Sequence, residues 1–409
     1  MAPVDERTLA LRTLLLELSH LQGEEGRDEE VLALCERILQ RFGDAEEPEL
    51  LDALRGVLAT KTGLLEIARR PEALLSALDE ALRLLGRMTS PEATVHWGWA
   101  VLNKASTLEG LQRFEEALAC YDLLAEKQGG ADAREPRAQA ASALVHKARL
   151  LDRLERTPEA LATYDAVVAR WGGAPELLPH VAEALLDKGL ALARLGRFGD
   201  AMESLAATFW RFASANDEAP REWAVRALLS SSLLLFAMNQ EGDAVAVVDK
   251  ARREFSGETG VPLLHALRAL ADQPLLGEGP GLLQAYVSVF DAVRGALPAP
   301  TPRSHAAFVE TYRRVTLMLL VQGRERASRR LLEQSLETAR VLLTLEPDNP
   351  LHLGHASYLC FLTGRQQEAE LLARGALQRG ARERPMWLLS QGGRELPEGD
   401  AFVALVRTL

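Results

Sequence analysis

A chain of 409 residues with 26% charged and 47% hydrophobic side chains has a folded protein's composition, and its net charge of −11 disfavours a phosphate-backbone partner, which needs a basic stripe to release counterions. Three widely spaced cysteines (Cys35, Cys120, Cys360) suggest neither a disulfide framework nor a CxxC metal site, which suits a reducing cytoplasm. The opening MAPVDERTLALRT has acids where a secretory leader would be basic, and the longest apolar stretch, 227–238, holds three serines and is too short to span a bilayer, so a soluble cytoplasmic protein is expected.

Residues 8–22 read as a first helix with leucines at 9, 11, 14, 15, 16, 18 and 21, paired with a helix over 28–42. So apolar an opening is expected to pack inward as an end cap, with a dimer or partner contact as the alternative. From 49 to 257 the chain reads as uninterrupted helical hairpins. The segment 141–173, ASALVHKARLLDRLERTPEALATYDAVVARWGG, serves as reference. Leu144, Ala148, Leu151 and Leu154 fall on one face of its first helix, which stops near Glu155. Thr157 is expected to cap the second helix ahead of Pro158, and Gly172 and Gly173 to close it in the left-handed conformation.

Small residues opening the second helices set the register. Val31, Ala73, Ala117, Ala160, Ala201 and Ala244 are 42, 44, 43, 41 and 43 residues apart. Pro48, Pro91, Pro136, Pro175 and Pro220, at steps of 43, 45, 39 and 45, each lie in an acidic connection leading into the next first helix. Two coincident periods indicate stacked repeats.

At these positions the chain resembles the tetratricopeptide repeat family, whose hairpins read roughly N-K-G, L-G-R, E-E-A-L and Y-D. Here those elements stand as Asn103, Lys104 and Ala105; Leu111, Gln112 and Arg113; Glu115, Glu116, Ala117 and Leu118; Tyr121 and Asp122. Lys147 and Lys188 repeat the lysine; Leu195, Gly196 and Arg197 give the full turn; Tyr164 and Asp165 repeat the last pair. The resemblance implies an all-α, right-handed α-solenoid of about eight hairpins, although a period near 43 exceeds the family's ~34.

Beyond 257 the register breaks. Prolines and glycines crowd 262–302, two helices fit near 262–272 and 281–296, and LPAPTP at 297–302 is a stiff connector. A further hairpin is read at 304–345, turning at Gly323, and another at 346–377, turning at Gly364 and Arg365; short capping helices are expected over 385–409. Three parts result: residues 1–257, an irregular pair with its connector over 258–302, and residues 303–409.

No phosphate loop, nucleophile elbow, zinc helix or EF-hand occurs, so neither enzyme chemistry nor a cofactor is expected. Glu278 in GEGPG reads as a plain turn. His352 and His355 could share a helix face for a metal, but ordinary surface or core histidines are the plainer reading. Paired acids such as Glu115 and Glu116 are dipole-favoured residues of helix starts.

In the resembled family the first helices line a groove that binds peptides. Carried over by register, that groove would receive Trp99, Asn103 and Ser106, then His146, Arg149 and Asp152, then Asp187 and Arg194, then Arg226, with a ladder of Lys104, Lys147 and Lys188 beside them. The function so implied is an adaptor or scaffold that binds another protein's peptide or helix, with no nucleic acid and no membrane insertion. A regulatory subunit of a bacterial protease, small GTPase or transcription complex is the alternative, and a helical toroid enzyme a third reading.

Overall fold

The computed structural model describes residues 6–213, 218–255, 261–271 and 280–380, apart from 25, 46, 296 and 298, together with 402, 404–406 and 408. Glu278 and nearly all of the expected capping helices over 385–409 lie outside the described residues. The regular secondary structure described is helical throughout, the chain divides into two compact units at 191/192, and within each unit the helices of a hairpin pack on one another.

In the first unit α1 (Glu6–Gln22), α3 (Pro48–Ile67), α5 (Pro91–Gly110), α7 (Arg134–Arg153) and α9 (Leu178–Arg194, extending three residues past the boundary) are first helices; α2 (Asp28–Phe42), α4 (Pro71–Leu85), α6 (Phe114–Gln128) and α8 (Thr157–Trp171) are second helices. The second contains α10 (Phe198–Phe212), α11 (Glu218–Ala237), α12 (Glu241–Phe255), α13 (Val261–Ala271), α14 (Pro280–Arg294), α15 (His305–Glu325), α16 (Arg329–Leu345), α17 (Pro350–Leu362) and α18 (Gln366–Gln378). The fold is a tetratricopeptide-repeat-like solenoid of helical hairpins. In the irregular stretch α13 packs between α11 and α15, while α14 lies on α11 and α12.

The turn inside each hairpin follows one rule. Gly26, Arg69, Gln112, Glu155, Gly196 and Asn239 all have φ between 59° and 81° except Arg69 at 53°, and they recur every 43 residues with one step of 41. After Arg69, Gln112, Glu155, Gly196 and Asn239, the next amide donates to the carbonyl five residues back, as Arg113 does to Leu108 and Arg156 to Leu151. This is the glycine-favouring closure of a helix, built here at several positions from larger residues. The left-handed residue thus closes the first helix, and the residue after it holds the N-cap of the second, as Arg70, Arg113 and Arg156 do.

That geometry corrects four expectations. The residue equivalent to Val31 is Leu74, four places after Arg70, since Leu74 is buried and Ala73 exposed; the steps of 42 and 44 thus become 43 and 43. Thr157 does not cap α8: its hydroxyl donates to Asp152 at 3.1 Å, and Arg156 holds the N-cap position. Gly172 keeps a right-handed φ of −58°. Gly323 lies inside α15, where a methyl group would stand 2.9 Å from a Leu332 methyl carbon, and the turn falls at Ala327, with φ 48°. A glycine that admits a neighbouring side chain looks in sequence like one that ends a helix.

Burial follows the register. Ala117, Ala160, Ala201 and Ala244 are fully buried, and their small side chains let paired helices approach closely. Tyr164, Phe42 and Phe212 fill the wider gaps. The opening helix α1 packs Leu11 and Leu18 inward but leaves Leu9 and Leu16 59% and 74% exposed. Pro48 and Pro91 open α3 and α5, where a missing amide hydrogen costs no hydrogen bond.

Candidate functional site

The lysine ladder and the Y-D pair turn out to be partners. Lys104 on α5 meets Asp79 on α4 at 2.6 Å, Lys147 on α7 meets Asp122 on α6 at 2.6 Å, and Lys188 on α9 meets Asp165 on α8 at 2.5 Å. Each lysine thus reaches back to the second helix of the preceding hairpin. Lys61 makes the corresponding longer contact to Glu36, at 3.9 Å. A second ladder runs along the turns: Arg70 pairs with Glu29, Arg113 lies 3.7 Å from Glu72, and Arg156 lies 2.9 Å from Glu115. Both ladders join neighbouring repeats.

The other sequence-derived residues of the first unit lie on α5, α7 and α9. Arg149 is held by Asp187 at 2.6 Å and Glu183 at 3.5 Å. Burial works against its charge, but the two carboxylates more than reverse this and push its pKa up. His146 stacks on Tyr121, with ring centroids 6.0 Å apart and 16° between planes. Crowding around its ring, followed by Arg149, moves its pKa below the ordinary histidine value, which favours the neutral imidazole. Asp152 accepts the Thr157 hydroxyl described above.

Trp99 and Asn103 differ from these. Trp99 is 49% exposed, and the Asn103 side chain, also exposed, makes no hydrogen bond among the described residues. Ser106 is exposed beside them. Arg194 and Arg226 belong to the second unit; Arg194 is exposed, and the Arg226 guanidinium lies 4.4 Å from the Trp223 ring centroid.

Further groups lie on these first helices and, buried, on the second helices behind them. The Tyr121 hydroxyl donates to Glu109 at 2.6 Å, and Arg153 pairs with that carboxylate. Burial first, and Glu109 second, raise the Tyr121 phenol above its usual pKa. Buried Tyr164 is raised by burial and then by Asp187. His180 approaches Glu183 at 3.6 Å. The Y-D pattern flagged both tyrosines, whereas Glu109 and Glu183 sit on helices where carboxylates are common, so no spacing singled them out.

The first helices thus carry fixed charges on α7 and α9 and, on α5, an indole and an amide left open to solvent. They offer donors and acceptors to a polypeptide backbone or to polar side chains. Among the described residues no group of three or more His, Cys, Asp or Glu is arranged to hold a metal ion, and no helix is long and apolar enough to cross a membrane.

A tetratricopeptide repeat family matches residues 102–175 and 145–208, the stretch that carries this face. No curated protein matches the chain. Among solved structures it is similar to a Rap protein complexed with competence and sporulation factor, at 12% identity over 92% of this chain and 98% of that one, TM-score 0.38. It is also similar to an engineered protein, at 14% identity over 92% and 96%, TM-score 0.39. A third is the human IFIT1 dimer with m7Gppp-AAAA, at 14% identity over 93% and 92%, TM-score 0.27. At such scores no ligand or activity passes from one chain to another.

Proposed function

Taking this tetratricopeptide-repeat-like chain as a protein-interaction scaffold, we propose that it binds an extended or helical segment of another protein on the face made by α5, α7 and α9, and that it is not itself an enzyme. The observation carrying this reading is a contrast among these first helices: Arg149 on α7 and Asp187 on α9 are fixed by each other, while Trp99 and Asn103 on α5 stand open to solvent. An indole supplies a large contact area at small entropic cost, and an amide can pair with a peptide group on both its edges. The lysines act between repeats in this reading. Arg194 and Arg226 are proposed separately as partner contacts of the second unit, and the chain is divided in this reading into 1–257, 258–302 and 303–409.

The charge distribution supports a polypeptide partner over nucleic acid, since residues 1–191 hold 33 acidic against 22 basic side chains. Photo-crosslinking from position 103 in the source cell, followed by mass spectrometry, identifies the bound segment. Affinities of Trp99→Ala, Asn103→Ala and Arg149→Ala for that segment then test the face. Losses of about tenfold or more are expected for Trp99→Ala; unchanged affinity for all three would reject the assignment.

A further inference from the structure

Three of the eight histidines converge in the second unit, where α15, α16 and α17 meet. His305 Nε2 lies 3.6 Å from one oxygen of Glu346, and His352 Nδ1 lies 3.4 Å from the other. Asn349 already donates to that second oxygen at 2.7 Å. One turn further along α17, His355 is buried with His352, each 2% exposed. Neither ring nitrogen of His355, nor Nδ1 of His352, has a hydrogen-bond partner.

Among the described residues the charges acting on these two rings are few. Arg313 on α15 repels both, Glu346 at the α16–α17 junction attracts His352, and the rings repel each other. Charged groups of the neighbouring elements pair with one another: Arg340 with Glu368 at 2.7 Å, and Arg379, just past α18, with Asp348 at 2.7 Å. Glu346 therefore meets His305 and His352 but not His355, whose charged neighbours are His352 and an Arg313 that is itself paired with Glu310 at 2.9 Å.

We propose that this cluster is an acid-sensitive latch: protonation of His352 and His355 releases the α17–α18 hairpin from α15 and α16 while the rest of its unit stays folded. The hairpin is held by an apolar contact of Leu353, Ala356, Leu359, Ala369 and Ala373 with Leu320, Leu336 and Ala339. That contact has no means of accommodating a buried unpaired charge. Local opening of a single hairpin is the low-energy motion expected of a repeat array, because each pair packs on its neighbours alone, here α15 and α16 on one side and Phe402 and Val406 on the other.

The direction follows from the proton affinities. Burial first, then His352 and Arg313, lowers the His355 value from 6.5 to about 4, and burial lowers His352 as well. An open hairpin takes up the proton near 6.5 and a closed one only near 4, so closure is fully stable above 6.5 and weakens as pH falls towards 4. His355 alone makes opening about 30-fold more favourable at pH 5 than at pH 7.5.

Cys360, fully buried on α17, reports the motion. In the full chain carrying Cys35→Ser and Cys120→Ser it is the sole thiol, and 4,4′-dithiodipyridine labels thiols in mild acid. The labelling rate, normalised to the urea-unfolded chain at each pH, should rise about 30-fold from pH 7.5 to pH 5. Adding His355→Leu should remove most of the rise. A companion chain with Cys120→Ser and Cys360→Ser reads Cys35 in α2, and its normalised rate should stay level, whether or not the His355 variant folds. A flat Cys360 rate, an undiminished rise in folded His355→Leu, or a parallel rise at Cys35 would each overturn the latch.

Discussion

Replacing three of the hairpin-turn residues by glycine should make the chain more stable. Arg69, Gln112 and Glu155 have φ of 53°, 61° and 60°. Their side chains are exposed and make no side-chain hydrogen bond that the change would remove. A non-glycine residue in this conformation costs about 1–2 kcal/mol, and glycine returns about 0.5–1 kcal/mol through its freer unfolded chain, leaving a gain of roughly 0.5–1 kcal/mol per site. The sites lie one repeat apart and share no contacts, so the triple variant should gain about 1.5–3 kcal/mol. Urea unfolding followed by far-ultraviolet circular dichroism would show the midpoint moving upward in three similar steps. The reverse change at the same position, Gly196→Ala with its φ of 72°, should lower it. A midpoint that falls in the glycine variants, or rises in Gly196→Ala, would refute the claim that one left-handed residue closes every hairpin.

Other sites give expectations of the same kind. A methyl group on Gly98 would stand 2.1 Å from Gln139 Oε1 and 2.9 Å from Gln128 Oε1. Both glutamines are buried and donate to the carbonyls of Val95 and Thr94, so Gly98→Ala should displace at least one of those bonds and cost about 2 kcal/mol by urea unfolding, despite alanine's better helix propensity. Converting Lys104, Lys147 and Lys188 together to Met should leave partner affinity unchanged by isothermal calorimetry, because their ammonium groups already meet Asp79, Asp122 and Asp165. Its stability cost should stay small, since each aspartate is largely exposed to water. Gly323→Ala should loosen α15 from α16, read as a lower urea midpoint, because Leu332 cannot retreat without its backbone, which lies only 3.1 Å from the added carbon.

The repeats were legible because a period near 43 imposes itself on residues of many kinds at once. Proline at helix starts, a small residue in the second helix and a turn between them each carry the register separately. Where one residue type serves two purposes, the reading slipped. Gly323 admits Leu332 where it was expected to turn the chain, and Ala73 lies exposed one place ahead of the buried position, which Leu74 occupies. The polar face shows the same division. Arg149 and His146 stood out by their position on a first helix, but the acids that hold Arg149, and Glu109 beneath Tyr121, could not be separated in sequence from the acids of helix starts and ladders. Pairing across helices is a property of three dimensions. The lysines and the Y-D aspartates were both visible as motifs, and only the packed hairpins joined one to the other.

Excising residues 113–155 joins Gln112 to Arg156, and so removes one whole period from turn to turn while keeping the left-handed closure and letting Arg156 take the place of Arg113. If each hairpin depends only on its neighbours, far-ultraviolet circular dichroism of the shortened chain will show the same helicity per residue and a cooperative urea transition. Loss of helicity across the whole chain would contradict the account.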